Sequence, residues 1–218
     1  MRTPIKDVVV GSLVFASMLG LYQYNKPVYR VTRLVDRTKL ESDLSKRTLL
    51  WEQAVDETTR PGAGLTPRIN FNLYFQLGAH RLEMGEVEDA MKNFTLALQA
   101  FPEGFDLHRL EPRTRRRVSV ALDHLAQFHQ DRKQLAQAME LYDRALDAIA
   151  SPGQVRLLLS GKEPDPPLLP EHIHSLAGTL NNLATLYFDL GREQDSRACL
   201  DVSDRLLKET PMVNTDNK

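Results

Sequence analysis

Apolar side chains recur every three or four residues through most of this 218-residue chain, which is the spacing of helices with one buried face. The pattern is clearest over 71–102, where two apolar runs flank the turn Met84-Gly85-Glu86. Gly85 is expected to end the first helix, and Pro102 is expected to end the second. Acidic residues after the turn favour the start of the second helix, where its dipole is positive. The stretch therefore predicts a helical hairpin.

Two weaker copies of this hairpin pattern follow, over 119–152 and 177–210. The second helix has a small–aromatic–small spacing that returns 48 residues later, in the pairs Ala90 and Ala138, Phe94 and Tyr142, and Ala97 and Ala145. In the third copy Ser196, Leu200 and Ser203 take these places, as expected of a terminal unit that caps a stack. Lys133 stands where the first copy has a glycine, which weakens the prediction of the second turn.

Inserts at 103–118 and 151–170 separate the three units. The first contains an arginine cluster, 113–117, which we interpret as a solvated helix start rather than a phosphate-binding patch or a nuclear signal. The second has four prolines within 164–170, which exclude a regular helix there, while 154–160 would form a short helix. We predict a long surface loop, a kind of segment that is often functional or disordered.

The stretch 71–102 resembles the tetratricopeptide repeat (TPR), a 34-residue helix–turn–helix unit. The matching residues stand at the family's own spacing: Tyr74, Leu77, Gly78, Gly85, Ala90, Phe94, Ala97 and Pro102. Arg81 departs from the pattern, because an aromatic residue is usual there. The resemblance covers 71–208 and implies an all-α, TPR-like solenoid of about three repeats, with a groove lined by the first helix of each.

The resemblance also implies that the groove holds an extended or helical segment of a protein partner. From the repeat spacing we expect these side chains to line it: Asn72, Phe75, Ala79, Leu82, Asp123, Gln127, Gln130, Asn181, Thr185 and Asp189. Phe75 and Leu82 would accept apolar side chains, and the amides would hold backbone groups of the partner. The alternative is that the protein's own insert or N-terminal helix fills the groove.

One class of partner is not expected. TPR domains that bind the acidic C-termini of heat-shock chaperones need a lysine and two asparagines in the groove. In this chain the corresponding places hold Phe75, Ala79 and His124.

The first 25 residues have a different character. No charge interrupts 8–25, a span about as long as the shortest membrane-crossing helices. Basic residues then outnumber the single acid Asp36: Lys26, Arg30, Arg33, Arg37 and Lys39. The favoured interpretation of 1–25 is a signal anchor, a transmembrane helix that contacts the membrane through 8–24. By the positive-inside rule it would leave the rest of the chain in the cytosol.

Two other interpretations of 8–22 compete with the anchor. A secretory signal peptide would end in a small-x-small cleavage site, and 22–26 is a poor one. A buried core helix would be apolar on one face, whereas this run is apolar on all faces.

A basic C-terminal flank is typical of proteins that resemble mitochondrial outer-membrane receptors, so we expect a single-pass mitochondrial protein. An inner-membrane anchor is a close competitor, and the endoplasmic reticulum is a further alternative.

Between the anchor and the repeats, 26–67 is expected to form a membrane-proximal helical segment that ends in the Pro- and Gly-containing loop 58–67. Trp51, the sole tryptophan, is interpreted as a packing residue, and the alternative is contact with the membrane surface. The polar tail 210–218 is expected to be disordered.

Composition and the absence of known motifs exclude several classes of function. A net charge of −1 gives no case for nucleic acid, and the single cysteine, Cys199, excludes an internal disulfide. A Gly-rich phosphate loop, a His-Glu-x-x-His motif and a cysteine pair are all absent from the sequence. We therefore expect no catalytic residue, metal, cofactor or small-molecule substrate.

Two groups of histidines are weaker candidates. His172 and His174 form a His-x-His pair that no neighbouring ligand completes, so a solvated helix N-terminus is expected. Asp123-His124 and His129 share a predicted helix, but no serine or cysteine nucleophile accompanies them.

Two further residues are interpreted as structural. Cys199 falls on a buried helix position and is expected to be a packed thiol. The Asn93 glycosylation sequon is expected to be unused, because Phe94 within it must face the core.

The expected function is non-catalytic. The protein would be a membrane-anchored adaptor for a polypeptide partner, acting in mitochondrial import, quality control or complex assembly. A permanent structural subunit of a membrane complex is the alternative. An enzyme subunit would need a metal or nucleophile cluster that the sequence does not display.

Overall fold

The computed structural model describes residues 26–60 and 63–209. Every regular element in these ranges is helical, which confirms the all-α class. The helices are α1 (Pro27–Leu40), α2 (Leu44–Thr59), α3 (Pro67–Glu83), α4 (Val87–Gln99), α5 (Pro112–Asp131), α6 (Leu135–Ile149), α7 (Pro152–Leu159), α8 (Pro170–Asp189) and α9 (Glu193–Glu209), with a 3₁₀ turn at Leu107–Arg109.

Two of the sequence predictions lie outside the described residues. They are the anchor at 1–25 and the disordered tail at 210–218. Of the helices in the described ranges, none is both long enough and apolar enough to cross a membrane.

The chain divides into two compact units, Met1–Asn93 and Phe94–Lys218. In the first unit α1 packs against α2, and α2 packs against α3. Their shared core holds six buried side chains: Val31, Trp51, Ala54, Val55, Leu73 and Leu77. Trp51 is 7% exposed and stacks on His80, with ring centroids 6.0 Å apart. It is therefore a packing residue of the α2–α3 contact.

The first helix of each predicted repeat begins at a proline, earlier than the apolar spacing indicates. Helix α3 begins four residues early at Pro67, and α5 and α8 each begin seven residues early, at Pro112 and Pro170. Proline suits this position, because its fixed φ is helical and the N–H that it lacks would have no partner there. Seven residues of the predicted insert 103–118 thus belong to α5. Pro170, which sequence reasoning counts among the helix breakers, begins α8.

Within residues 63–209 the same turn joins two helices at three places. Gly85, Lys133 and Gly191 have positive φ values of 77°, 60° and 72°. In each turn an N–H donates to the carbonyl five residues back, at 2.9, 2.9 and 2.8 Å, from Glu86 to Arg81, Gln134 to His129, and Arg192 to Tyr187. This hydrogen bond is typical of helices that end at a residue in the left-handed conformation. Lys133 therefore makes the turn that glycine makes at the other two places.

In the second unit α5 pairs with α6 and α8 pairs with α9, and α8 also packs against both α5 and α6. The predicted small–aromatic–small residues of α6 have no exposed surface: Ala138, Tyr142 and Ala145. In α9 the serine that replaces the second alanine is also buried, and Ser203 Oγ donates to the Ala177 carbonyl at 2.9 Å. The polar replacement in the third unit is therefore satisfied by a hydrogen bond.

The insert 151–170 contains one short helix, α7, and is folded against its unit. Ser151 and Gln154 form a reciprocal capping box at its start. Gln154 Nε2 also donates to the Pro166 carbonyl at 2.8 Å, and Arg205 Nη2 donates to the Leu158 carbonyl at 3.0 Å. Leu158 is 1% exposed within the core of the second unit. These contacts make the insert part of the packed unit.

Candidate protein-binding face

Helices α5 and α8 pack against each other in the second unit and carry six of the predicted groove residues. The residues are Asp123, Gln127 and Gln130 on α5, and Asn181, Thr185 and Asp189 on α8. Steps of three and four residues place each set along one side of its helix. We call the surface formed by these six residues the α5–α8 face.

Two hydrogen bonds cross between the helices at this face. Asn182 Nδ2 donates to Asp123 Oδ2 at 2.8 Å, and Gln130 Nε2 donates to Asp189 Oδ2 at 3.1 Å. From α6, the Tyr142 hydroxyl donates to Gln130 Oε1 at 3.0 Å. Gln130 is only 9% exposed, and both ends of its amide are engaged. It therefore joins α5 to α6 and α8, and it has little surface left for a partner.

Asp123 is a carboxylate in a poorly solvated place. Burial raises its pKa to about 6, and the polar side chains of Thr179 and Asn182 oppose that rise. Asp123 Oδ1 is buried and accepts no hydrogen bond from the described residues. The ionised form therefore carries a desolvation cost that its hydrogen bonds only partly offset.

The exposed part of the face belongs to α8. Asn181, Thr185 and Asp189 are exposed, and Phe188, which sequence reasoning missed, is 67% exposed beside them. The repeat pattern predicts buried positions, so it gives no reason to select an exposed aromatic. The pair Tyr187-Phe188 does indicate an exposed aromatic residue. Adjacent residues on a helix point in different directions, so only one of the two can face the core. We call these four exposed residues the α8 stripe.

Gln127 and His124 are neighbours on α5, and His124 also contacts α4. The His124 ring stacks on Phe94, with ring centroids 5.4 Å apart and an interplanar angle of 11°. Burial lowers the pKa of His124, and a hydrogen bond with Gln127 opposes that change. His124 is thus a neutral packing residue at neutral pH, and half-buried Gln127 keeps some accessible surface.

The four groove candidates of the first unit lie on α3 and have limited exposed surface. Phe75 is 9% exposed and stacks on Phe71, with ring centroids 5.8 Å apart. Asn72, Ala79 and Leu82 are half-buried. Most of the Phe75 ring is therefore occupied by packing, and only a small part is accessible to a partner.

His172 is buried, which corrects the expectation of a solvated helix start. It has no exposed surface, and its Nδ1 and Nε2 atoms lie 2.9 Å and 3.1 Å from the carbonyl oxygens of Ile149 and Pro112. The ring therefore links the start of α8 to the end of α6 and the start of α5. In the described ranges no group of three or more His, Cys, Asp or Glu side chains could hold a metal ion.

Two other candidate side chains are occupied or protected. Burial raises the pKa of Cys199 to about 11, so the thiol is protonated at neutral pH. Asn93 is 5% exposed, and its Nδ2 atom donates to the Asp89 carbonyl at 2.6 Å. The nitrogen that glycosylation would modify is therefore both buried and hydrogen-bonded.

The arginine cluster 113–117 lies in the first turns of α5. Arg115 Nε donates to the Ala148 carbonyl at 2.8 Å, where it satisfies an acceptor that the end of α6 leaves open. Burial lowers the pKa of both Arg115 and Arg117, while Arg113 and Arg116 are exposed. Part of the cluster is thus solvated, and Arg115 holds two helices together.

Two segments of the second unit match a family model described as a tetratricopeptide repeat. The matches are residues 118–149 and 176–203. They support the tetratricopeptide repeat family. The two repeats correspond to the helix pairs α5–α6 and α8–α9, and proteins built from such repeats are generally non-catalytic scaffolds for other proteins. The hairpin at 71–102 lies outside the matched residues, and its assignment as a repeat stays a prediction.

Comparison with solved structures gives a distant similarity. The crystal structure of BtubC (BKLC) from P. vanneervenii is 16% identical in sequence, with a TM-score of 0.47. The similarity covers 95% of this chain and 92% of that chain. None of the curated proteins matches the chain.

Proposed function

We propose that the protein is a non-catalytic adaptor, anchored in a membrane through 8–24, that binds a polypeptide partner at the α5–α8 face. Repeats of this family pair helices so that one side of each pair is buried and the other remains open to a partner. The observation that carries the proposal is the α8 stripe. In it a phenylalanine, 67% exposed, lies among an amide, a hydroxyl and a carboxylate.

The α8 stripe has the parts of a peptide-binding surface. Phe188 offers an aromatic ring to an apolar side chain, and aromatic residues are enriched at protein interfaces. Asn181 and Thr185 offer hydrogen-bonding groups to a backbone. The Asp189 carboxylate, positioned by Gln130, favours a partner with a lysine or arginine. From Asn181 to Asp189 the helix rises about 12 Å, the length of roughly four extended residues.

A matched pair of substitutions tests the proposed binding surface. Phe188→Ala removes the exposed ring of the α8 stripe, whereas Leu200→Ala removes an apolar side chain of α9 that is 40% exposed. We expect Phe188→Ala to weaken binding of the co-purified partner by about tenfold or more, and Leu200→Ala to leave it unchanged. A photo-reactive residue at 188 should also crosslink to that partner, while one at 200 should not. Equal effects of the two alanine variants would contradict the proposal.

The proposed membrane is mitochondrial, and the outer membrane facing the cytosol is favoured over the inner membrane. Support comes from the uncharged run 8–25 and from the basic residues that follow it. The adaptor would then act in import, quality control or complex assembly.

Carbonate washing of isolated mitochondria should leave the full-length chain in the membrane pellet, and release into the wash would refute the anchor. External protease should remove the repeats from intact mitochondria if the outer membrane is correct.

A further inference from the structure

The first unit carries a basic pocket that the proposed adaptor role does not use. Lys26, Arg30, Arg33 and Arg37 recur in steps of four, three and four residues, which places them along one side of α1. The last three, together with Arg60 after the end of α2, line a cavity of about 320 Å³ between the two helices. That volume lies within the ordinary range of ligand pockets.

Basic groups outnumber acidic groups in the lining of this basic pocket. Four guanidinium groups line it against two carboxylates, Asp56 and Glu57, so the lining carries a net charge of +2. Glu57 is 6% exposed and binds Arg30 Nε at 2.7 Å and Arg60 Nη2 at 3.2 Å. It therefore holds two guanidinium groups at the cavity. Arg33 and Arg37, one helical turn apart on α1, also line the cavity and are exposed.

This arrangement suits a phosphate group more than a single carboxylate. Arginine binds phosphate oxygens through two parallel hydrogen bonds, and its planar group is weakly hydrated. Several arginines around one concave site can contact several oxygens of the same anion. A phosphate group presents more acceptor oxygens than a carboxylate and so can engage more of these guanidinium groups.

We propose that Arg33, Arg37 and Arg60, in the basic pocket between α1 and α2, bind the phosphate of an anionic phospholipid headgroup. The phosphate chemistry rests on the pocket alone, and the lipid source rests on the proposed anchor. The uncharged run ends at residue 25, and α1 begins two residues later. With a rise of 1.5 Å per residue, Arg33 and Arg37 lie roughly 10 and 16 Å along α1 from Lys26. Headgroups beside the anchor are therefore the nearest phosphates.

Vesicle titration of the full-length chain tests the lipid source. The vesicles are phosphatidylcholine with and without phosphatidylglycerol, at physiological ionic strength. Each basic residue near an anionic surface raises affinity about fivefold, so the three arginines together should contribute on the order of 100-fold. The variant Arg33→Gln/Arg37→Gln/Arg60→Gln should lose most of the increase in vesicle affinity that phosphatidylglycerol causes. A matched variant of the second unit, Arg109→Gln/Arg116→Gln/Arg197→Gln, removes equal charge from exposed sites and should retain it.

The outcomes separate the pocket from the anchor. If phosphatidylglycerol still raises the vesicle affinity of the Arg33→Gln/Arg37→Gln/Arg60→Gln variant, which we call the pocket variant, the proposed phosphate site is wrong. The proposed anchor is unaffected by that result. Failure of the wild-type chain to bind either vesicle overturns both the anchor and the lipid source. If the pocket variant loses helix content, Arg37→Glu alone replaces it, because Arg37 lies on the exposed side of α1. That single charge reversal should also abolish most of the gain.

Calorimetry with soluble ligands tests the phosphate chemistry by itself. The detergent-solubilised full-length chain is titrated with glycerophosphoglycerol, inorganic phosphate and acetate. Saturable binding of the two phosphates, lost in the pocket variant, supports the site. Phosphate binding without any phosphatidylglycerol gain keeps the phosphate site and overturns the lipid source. Acetate that binds as tightly as phosphate points to a carboxylate of a protein partner and overturns the proposal.

Discussion

Asp123 occupies a position in α5 where burial acts against its charge. Its folded pKa of about 6 lies above the ordinary value of 3.8, so folding favours the protonated form. The sign of the pH effect follows, because ionisation is harder in the folded chain than in the unfolded one. The contribution of Asp123 to stability falls as pH rises from about 4 to about 6 and stays low above that range. The whole shift of two units corresponds to at most about 3 kcal/mol.

Substitution of Asp123 by asparagine should therefore stabilise the protein at high pH. The substituted side chain keeps an oxygen for the Asn182 amide and loses the buried charge. We expect a higher free energy of unfolding than wild type at pH 8, by about 1–3 kcal/mol, and little difference at pH 4. Urea unfolding at the two pH values measures this. Asp201→Asn, at an exposed position of α9, is the control and should show no such contrast. An Asp123→Asn variant that keeps the wild-type pH dependence would refute the argument.

Lys133 carries a conformational cost that its two counterparts avoid. A non-glycine residue at positive φ is disfavoured by about 1 kcal/mol, and Lys133 has a φ of 60°. Lys133→Gly should raise the free energy of unfolding by about 0.5–1 kcal/mol. The reciprocal change, Gly191→Lys, should lower it by a similar amount, since a Cβ there meets no atom within 4 Å and only the backbone is strained. Thermal unfolding that shifts both variants in the same direction would contradict this explanation.

At the scale of the helices, Gln130 is one of the residues that link the two matched repeats by hydrogen bonds. Its amide accepts from the Tyr142 hydroxyl on α6 and donates to the Asp189 carboxylate on α8. Three helices from two repeats thus meet at one side chain. A position that the repeat spacing assigns to the groove therefore also contacts the neighbouring helix.

A double-mutant cycle measures that link. Gln130→Ala leaves the buried Tyr142 hydroxyl without its acceptor and should lower the free energy of unfolding by about 1–3 kcal/mol. In a Tyr142→Phe background the same substitution should cost clearly less, since no hydroxyl remains to be satisfied. Gln127→Ala, on the same helix and half-buried, should change stability by less than about 0.5 kcal/mol. Equal costs of Gln130→Ala in the two backgrounds would show that the hydrogen bond carries no coupling.

The sequence predicts helices better than it predicts their starts. Apolar spacing is a property of buried faces, so it identifies the helix pairs of the second unit and the buried Tyr142. It does not detect the first turns that begin at Pro112 and Pro170, because their buried side chains are polar, as Thr114 is, and add nothing to an apolar pattern. It does not find Phe188 either, because an exposed residue need not follow the spacing of a buried face. His172 is a different case, since its partners are backbone carbonyls on distant helices that no side-chain pattern reports.

At the scale of the whole molecule, the two proposed surfaces belong to different units. The basic pocket lies in the first unit, and the α8 stripe lies in the second. Each surface can therefore be altered without changing residues of the other. Partner binding should survive loss of Arg33, Arg37 and Arg60, and lipid preference should survive loss of Phe188.

Native gel electrophoresis of solubilised membranes distinguishes an adaptor from a permanent subunit. If the protein is an adaptor, most of it should migrate at low mass, and Phe188→Ala should remove the remaining fraction that migrates with a partner. A permanent subunit would comigrate with one large complex at fixed stoichiometry, and that pattern would contradict the adaptor proposal. Leu200→Ala serves again as the control, with the wild-type distribution expected.

The buried thiol of the last helix pair can be used to measure how readily α9 separates from α8. Cys199 is the sole cysteine of the sequence, is 1% exposed, and is protonated at neutral pH because burial raises its pKa to about 11. An alkylating reagent therefore reacts with it only when α9 separates from α8. The alkylation rate then measures the free energy of that local opening. Because a partner held by the α8 stripe stabilises the closed form, the rate should fall as partner is added, in proportion to its occupancy.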